Sequence, residues 1–307
     1  MSQIRFVLIL ALLIAGVTLA TRGAMDPTVS LESLTQLWSD TLRDTDQLGM
    51  KVTRVSDAEE TAIGAELARA FFNNRVQDHA DEAYVIAIGQ AVARHARRGG
   101  IHYQFHLIDS PMINAFALPG GQIFVTTGLL GFVESEAELA AILGHEISHV
   151  DLRHCIERYQ YEIKLKHAGL PVAGEIVEAA HRVAAFSFAR YQEAEADAQG
   201  DRMSIESGYD PRAAPALFVR LKERMGEPSR SPAATPAGEI AQSAGEAIGS
   251  FFQSHPPSEE RARALGAMAA REGHTLTGKS FYIGKQNLQD RVPRSEREYP
   301  GEYNKFP

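Results

Sequence analysis

Residues 145–149 read His-Glu-Ile-Ser-His, and this stretch decides how the surrounding sequence is interpreted. It lies inside residues 136–162, whose apolar spacing predicts one continuous helix. Residues four apart on a helix differ by about 40° around its axis, so His145 and His149 face the same way. Two imidazoles one turn apart can bind one Zn²⁺. Glu146, about 100° round the axis, is then placed to take a proton from a zinc-bound water.

Apolar residues surround the two histidines on this predicted helix, at positions Leu139, Ile142, Leu143, Ile147 and Val150. A helix that is apolar nearly all round is buried rather than exposed to solvent. Burying two histidines and a glutamate together without a metal would be energetically costly. The pattern therefore favours a metal site over a pair of surface histidines.

A catalytic zinc needs a third protein ligand and one open position. His154 follows His145 by nine residues and would lie on the opposite side of a continuous helix, so it is expected beside the ligands rather than on the metal. An extended motif with a third histidine is also excluded, because residue 152 is Leu instead of a helix-ending Gly and residue 155 is Cys. Cys155 is expected to be a small buried apolar residue.

A better third ligand lies in residues 190–197, which read Arg-Tyr-Gln-Glu-Ala-Glu-Ala-Asp on a predicted helix. Glu193 and Asp197 are four apart and share a face, so Glu193 can bind zinc while Asp197 accepts the second N–H of a ligand histidine. Gly200 extends this face and would let another helix approach closely. A solvated acidic helix face remains the alternative interpretation of this spacing.

The bulk composition is that of an ordinary globular protein: 307 residues, 44% hydrophobic and 23% charged, with a net charge of −8. No segment carries a dominant basic stripe, so a nucleic-acid partner is not expected. Residues 1–20 have a charged start and an apolar run, which predicts either a secretory signal cut after Ala20 or an uncleaved signal anchor. The expected location is therefore the periplasm, in free or membrane-anchored form. The N-terminal segment is the expected route of any membrane association.

The rest of the chain has helical patterns on both sides of a small sheet. Residues 21–54 are predicted to be a helical segment, 55–270 a catalytic domain that contains a mobile loop at 226–247, and 271–307 a polar tail lying along the surface or poorly ordered. Within the domain, a capping box at Ser56 opens a helix that runs to about Val76. Further helices are predicted at 78–98, 172–188 and 190–207, and strands at 102–109, 113–118 and 122–127. The predicted fold class is α+β, mostly helical, with the sheet next to the His-Glu-x-x-His helix.

Four motifs occur in the order found in one known family. They are Asn114–Gly121 continuing through Leu129, Gly144–Val150 with His154, Arg190-x-x-Glu193-x-Glu195-Ala196-Asp197, and His255-Pro256-Pro257-Ser258 with Arg261. Over about residues 55–270 the chain resembles the zinc peptidase family of the CAAX prenyl proteases and the HtpX heat-shock proteases. Within that family it is most similar to the soluble, exported bacterial branch.

The resemblance implies a gluzincin-type fold that binds one Zn²⁺ per chain. It assigns the ligands to His145, His149 and Glu193, and the general base to Glu146. It also implies cleavage of peptide bonds in proteins at or near a membrane. The chain lacks the C-terminal helical-repeat domain of some periplasmic relatives, so a role in β-barrel assembly is not expected.

An edge strand made of Asn114, Ala115, Phe116, Ala117 and Leu118 could pair with an extended substrate, reading its backbone more than its side chains. The donor that would stabilise the oxyanion stays open between Arg190, Arg261 and His255.

His255 could also close the zinc site as a fourth ligand, which would indicate a latent enzyme or a chaperone-like assembly factor. A metal hydrolase acting on non-peptide bonds is disfavoured by the edge-strand motif. The physiological substrate and the oligomeric state are not determined by the sequence.

Overall fold

The computed structural model describes residues 55–76, 79–157, 159–160, 188, 190–225, 255, 261, 263–268 and 276–306. All of them belong to one compact unit, which comprises residues 54–229 and 246–307. The predictions for the segments at 1–20 and 21–54, for the helix at 172–188 except Phe188, and for the loop at 226–247 lie outside the described residues. Among those described, no helix has the length and apolar character needed to cross a bilayer.

Helices make up most of the described part of the chain, together with a few short strands. In chain order, the α-helices are α1 (Asp57–Ala68), α2 (His79–Ala93), α3 (Thr127–Phe132), α4 (Glu136–Asp151), α5 (Arg190–Glu206), α6 (Ala213–Met225) and α7 (Lys285–Asp290). The strands are β1 (Gln104–Ile108), β2 (Ala115–Leu118), β3 (Gln122–Thr126), β4 (Ser280–Tyr282) and β5 (Tyr303–Lys305). This confirms the predicted α+β class, mainly helical with a small sheet.

Helix α1 begins at the predicted capping box. The Ser56 hydroxyl accepts the Glu59 N–H at 3.2 Å, and the Glu59 carboxylate accepts the Ser56 N–H at 2.9 Å. The helix ends earlier than predicted, because a 3₁₀ segment, Arg69–Asn74, follows Ala68. This segment carries Phe71 into the core beneath the sheet.

The main sheet has the strand order β1-β3-β2, with β1 parallel and β2 antiparallel to β3. The three predicted strands are confirmed, and β2 lies at an edge of this sheet. Alternate side chains of β2 enter different cores: Ala115 and Ala117 join the one that contains α4, while Phe116 and Leu118 pack with Phe71. Both faces of the sheet are therefore buried, which explains why every residue of β2 is buried.

Helices α4 and α5 cross at two glycines. A Cβ atom added to Gly200 would lie 2.6 Å from the backbone nitrogen of His145, and one added to Gly144 would lie 2.6 Å from the carbonyl oxygen of Gly200. No side chain fits at either position without moving a backbone. The role predicted for Gly200, close approach of a second helix, is confirmed.

Helix α4 is shorter than predicted. The prediction of a continuous helix to residue 162 is wrong, because α4 ends at Asp151 and the chain turns through Leu152 and Arg153. Arg153 has a left-handed backbone, with φ of 68°. Residues 154–157 then start a new helical stretch. The helix therefore ends without a glycine, and an arginine occupies the left-handed position.

The prediction of a surface-lying or poorly ordered tail is also wrong for residues 276–306. Strands β4 and β5 pair antiparallel, and Tyr282 and Leu288 belong to the main core. The carbonyl of Gly284 accepts the first N–H of α4, at Glu136, at 3.1 Å. The tail therefore supports the start of the helix that carries the two histidines.

The glycine contact predicts the effect of one added methyl group. Gly200→Ala forces its Cβ against the backbone of α4, so we expect the free energy of unfolding to fall by about 1–3 kcal/mol in urea denaturation. Gly131→Ala is the matched control, because outside its own helix no atom of the described residues lies within 4 Å of a Cβ added to Gly131 of α3. This control should leave stability unchanged or raise it by up to about 1 kcal/mol. Equal unfolding free energies for the two variants would contradict the close crossing.

Candidate metal centre

Helix α4 brings its two histidines together as the spacing predicted. The Nε2 atoms of His145 and His149 lie 3.1 Å apart, and both side chains are buried. Their rings meet edge to face, with centroids 4.7 Å apart. Both rings therefore point their Nε2 atoms into one small space.

Helix α5 adds the predicted carboxylate to the same space. Glu193 Oε2 lies 3.4 Å from His145 Nε2, and Glu193 Oε1 lies 3.6 Å from His149 Nε2. Glu193 is buried, so its alternative interpretation as part of a solvated acidic face is wrong. The glycine contact between α4 and α5 makes this approach of Glu193 possible.

His255 is the fourth member of the cluster. Its Nδ1 atom lies 3.1 Å from His145 Nε2 and 2.9 Å from Glu193 Oε1. One donor atom from each of the four residues lies within 4.8 Å of all the others. Donors placed about 2.0–2.1 Å from a tetrahedral zinc are about 3.3 Å apart, so this set of three imidazoles and a carboxylate fits zinc.

Glu146 lies beside the cluster and is fully buried. Its Oε1 atom is 3.3 Å from His255 Nε2. Its Oε2 atom has no hydrogen-bond partner among the described residues. A buried carboxylate oxygen without a partner is unfavourable unless a substrate or water uses it, which suits a proton acceptor.

Asp197 and Arg261 lie next to the cluster and contact its members. Asp197 Oδ1 lies 3.0 Å from His145 Nδ1, the nitrogen that faces away from the cluster. Arg261 donates to both Asp197 oxygens, at 2.7 and 2.8 Å, and its Nη1 lies 2.7 Å from Glu193 Oε2. These contacts favour a role for Arg261 in fixing the two carboxylates over the predicted role of oxyanion donor. The side chain of Arg190 lies outside the described residues.

His149 is supported by different residues. Its Nδ1 lies 3.1 Å from His154 Nδ1, and His154 Nε2 lies 3.4 Å from Glu195 Oε2. The ring of Phe188 stacks on His149, with centroids 3.7 Å apart. The continuous helix predicted from the sequence would have put His154 on the opposite side of its axis, and the turn after α4 instead brings His154 beside His149. Phe188 was not predicted, because its position in the sequence bears no fixed spacing to any motif.

The pKa values of the two α4 histidines are shifted in opposite directions. Burial lowers the pKa of His145, but hydrogen bonds to Asp197 and Glu193 outweigh burial and raise this pKa to about 9. Burial, together with the nearby charge of His145, holds the pKa of His149 well below its usual value. The α5 carboxylates therefore favour the charged form of His145, while burial and the neighbouring His145 favour the neutral form of His149.

Strand β2 packs on α4, the helix that carries His145 and His149. Asn114 precedes it, and its backbone carbonyl accepts the Thr126 N–H at 3.1 Å. Because hydrogen bonding alternates along an antiparallel pair, Ala115 and Ala117 then direct their backbone groups away from β3. On this outer edge, the Ala117 carbonyl accepts the Cys155 thiol at 3.6 Å. Cys155 is buried, as predicted.

Residues 79–269 match the model of Peptidase family M48, and this range contains all four cluster residues. The chain belongs to peptidase family M48. This membership confirms the metallopeptidase resemblance drawn from the four motifs. It also accounts for a metal-binding cluster on α4 and α5.

Several relatives share this region. Mitochondrial metalloendopeptidase OMA1 of Arabidopsis thaliana is 27% identical over 195 residues, which cover 62% of this chain and 36% of that protein. OMA1 of Schizosaccharomyces pombe is 28% identical over 197 residues, covering 61% and 52%. The Beta-barrel assembly-enhancing protease of Escherichia coli strain K12 is 31% identical over 166 residues, covering 48% and 34%. The chain thus spans between a third and about half of the length of these relatives.

The ligand assignment predicts different effects for two glutamates of α5. Glu193→Gln removes a charged donor from the cluster, so we expect zinc affinity to fall by at least about tenfold. Glu195→Gln is the matched control, because its side chain is 48% exposed and contacts His154, while the four-residue cluster does not include it. Its zinc affinity should change by no more than about threefold. Chelator competition measures both, and equal losses would exclude Glu193 as the specific ligand.

Proposed function

We propose that this protein is a zinc-dependent endopeptidase that cleaves proteins in the cell envelope, with misfolded or membrane-associated proteins as its substrates. The observation that carries the proposal is a buried cluster of three histidines and a glutamate beside Glu146, in a chain of peptidase family M48. Zinc would be held by His145, His149 and Glu193. When bound, zinc would lower the pKa of a water molecule and polarise the scissile carbonyl.

Each residue around the cluster then has a defined task. Glu146 accepts the proton of the attacking water at its unpartnered Oε2 and passes it to the leaving amine. Asp197 accepts the Nδ1–H of His145, which fixes the ring orientation that directs Nε2 into the cluster. Arg261 holds Glu193 and Asp197 in place through its contacts with both carboxylates.

We propose that the substrate lies extended along the outer edge of β2, where Ala115 and Ala117 present their backbone groups. Pairing of this kind depends on backbone hydrogen bonds, so broad sequence specificity is expected. A cleavage profile that requires one particular side chain would contradict this binding mode. In this structure Cys155 contacts the Ala117 carbonyl, so the substrate would displace that contact.

The cell envelope is proposed from the first 20 residues, whose charged start and apolar run are typical of an export signal. Export would place the protein in the periplasm, either free or anchored through an uncleaved signal. Fractionation of cells that express the full chain, with N-terminal sequencing of the product, tests both the location and the cut after Ala20.

The central test of the proposed function is Glu146→Gln in the purified full chain. Because this change removes the base but none of the ligands, casein hydrolysis should fall by roughly a hundredfold to ten-thousandfold. Zinc content, measured by atomic absorption, should stay at one per chain. Undiminished hydrolysis by Glu146→Gln would contradict the assignment of the base.

A second candidate function rests on His255. Its Nδ1 lies 3.1 Å from His145 Nε2, where it could serve as a fourth ligand, and its Nε2 contacts the proposed base. A site closed in this way would belong to a latent enzyme or to a chaperone-like assembly and quality-control factor. The family membership favours a latent enzyme over a purely structural site.

Replacing His255 distinguishes an enzyme whose site His255 closes from one whose site is open. If His255 keeps the site closed in at least nine molecules of ten, His255→Ala should raise casein hydrolysis by about tenfold or more. The double variant with Glu146→Gln is the control and should be inactive. Unchanged hydrolysis would reject the closed-site hypothesis. Loss of both zinc and hydrolysis would identify His255 as an indispensable ligand of a structural site.

A further inference from the structure

The turn that ends α4 contains an unusual backbone conformation. Arg153 has φ of 68°, in the left-handed region that residues other than glycine, asparagine and aspartate seldom adopt. Immediately after it, His154 points back toward α4, and its Nδ1 lies 3.1 Å from the Nδ1 of His149. A continuous helix would instead have carried His154 to the opposite side.

The contact between these two histidines requires one arrangement of protons. With His149 Nε2 bound to zinc, His149 Nδ1 would carry the hydrogen and donate it to His154. His154 must therefore present an unprotonated Nδ1 and carry its own hydrogen on Nε2, where Glu195 lies 3.4 Å away. Because one lone pair accepts this bond, the ring of His154 has to be accurately placed.

The side chain of Arg153 ties the turn to α1. Its Nη1 donates to Asp57 Oδ1 at 3.2 Å, and its Nη2 donates to the Val55 carbonyl at 2.5 Å. The Arg153 side chain is 16% exposed and that of Asp57 is 38% exposed, so solvent partly screens this ion pair. The unfavourable backbone of Arg153 is thus held by partners nearly one hundred positions earlier in the chain.

A second arginine secures the same end of α4. Arg98 donates to the Val150 carbonyl at 2.7 Å, and its Nη2 lies 2.6 Å from both Asp57 Oδ1 and Glu60 Oε2. Glu60 also accepts the Gly120 N–H, in the turn that follows β2, at 3.3 Å. The two arginines and two carboxylates therefore connect the end of α4 with the turn beside the proposed substrate strand.

We propose that Arg153 is a positioning residue for the metal site: its left-handed turn, held by Asp57, places His154 to orient His149. The inference rests on the proposed function, because it requires the cluster to bind zinc. A residue that only ended the helix would affect the free energy of unfolding alone, whereas a positioning residue also affects zinc affinity. Orientation of a ligand histidine by its second ring nitrogen affects metal affinity by roughly tenfold to a hundredfold.

The test compares two substitutions that remove the same charge. Arg153→Asn keeps a residue that tolerates the left-handed region, while Arg153→Val introduces a β-branched residue that does not. We expect zinc affinity, measured by competition with a chromophoric chelator, to fall at least about tenfold for Arg153→Val and less than about threefold for Arg153→Asn. If Arg153→Val does not fold, Arg153→Ala replaces it, with the same order expected.

Arg291 supplies a matched control within the same chain. It is also a left-handed arginine, with φ of 55°, and it also pairs with an aspartate, Asp81, at 2.6 Å. It lies at the end of α7 and makes none of the contacts described for the cluster. Arg291→Val should lower the free energy of unfolding, as Arg153→Val does, while leaving zinc affinity unchanged.

A double-mutant cycle with His154→Ala completes the test. If Arg153 acts through His154, His154→Ala alone should weaken zinc binding as much as Arg153→Val, and the double variant should be no weaker. Equal zinc affinities for Arg153→Val and Arg153→Asn, or additive losses in the cycle, would overturn the inference. Absence of zinc binding by the unaltered protein would instead refute the proposed function, and the inference with it.

Discussion

The contact between Gly144 and Gly200 is the constraint on which the rest of the site depends. Helices α4 and α5 meet there backbone to backbone, with no side chain between them. Glu193, Asp197 and Gly200 share one face of α5, so close packing at the glycine carries both carboxylates to His145. Wider separation would leave these buried acids without their histidine contacts, which is energetically costly. The glycine pair thus couples the packing of two helices to the geometry of the metal centre.

The two histidines of α4 are supported by separate parts of the fold. His145 contacts Asp197, which Arg261 holds in place, so its support comes from α5 and from Arg261. His149 contacts His154 and Phe188, and its support comes from the turn after α4.

Sequence reasoning succeeded where the decisive forces are local. The capping box at Ser56, the three strands and the shared face of Glu193 and Asp197 depend on residues a few positions apart. It failed at the end of α4, because the partner that stabilises a left-handed Arg153 is Asp57, ninety-six positions earlier. It also failed for the C-terminal tail, whose polar composition concealed that Tyr282 and Leu288 join the main core.

The sequence by itself determined the pair His145 and His149 and the neighbouring Glu146, because helix geometry alone sets the directions of residues one and four positions apart. Only the tertiary structure decided that His255 completes the cluster. It also decided that Arg261 holds Glu193 and Asp197, a role different from that of an oxyanion donor. His255 is 110 positions from His145 and 62 from Glu193. Over such separations, neither the helical nor the strand period fixes the relative direction of two side chains. The packing of the domain sets that direction instead.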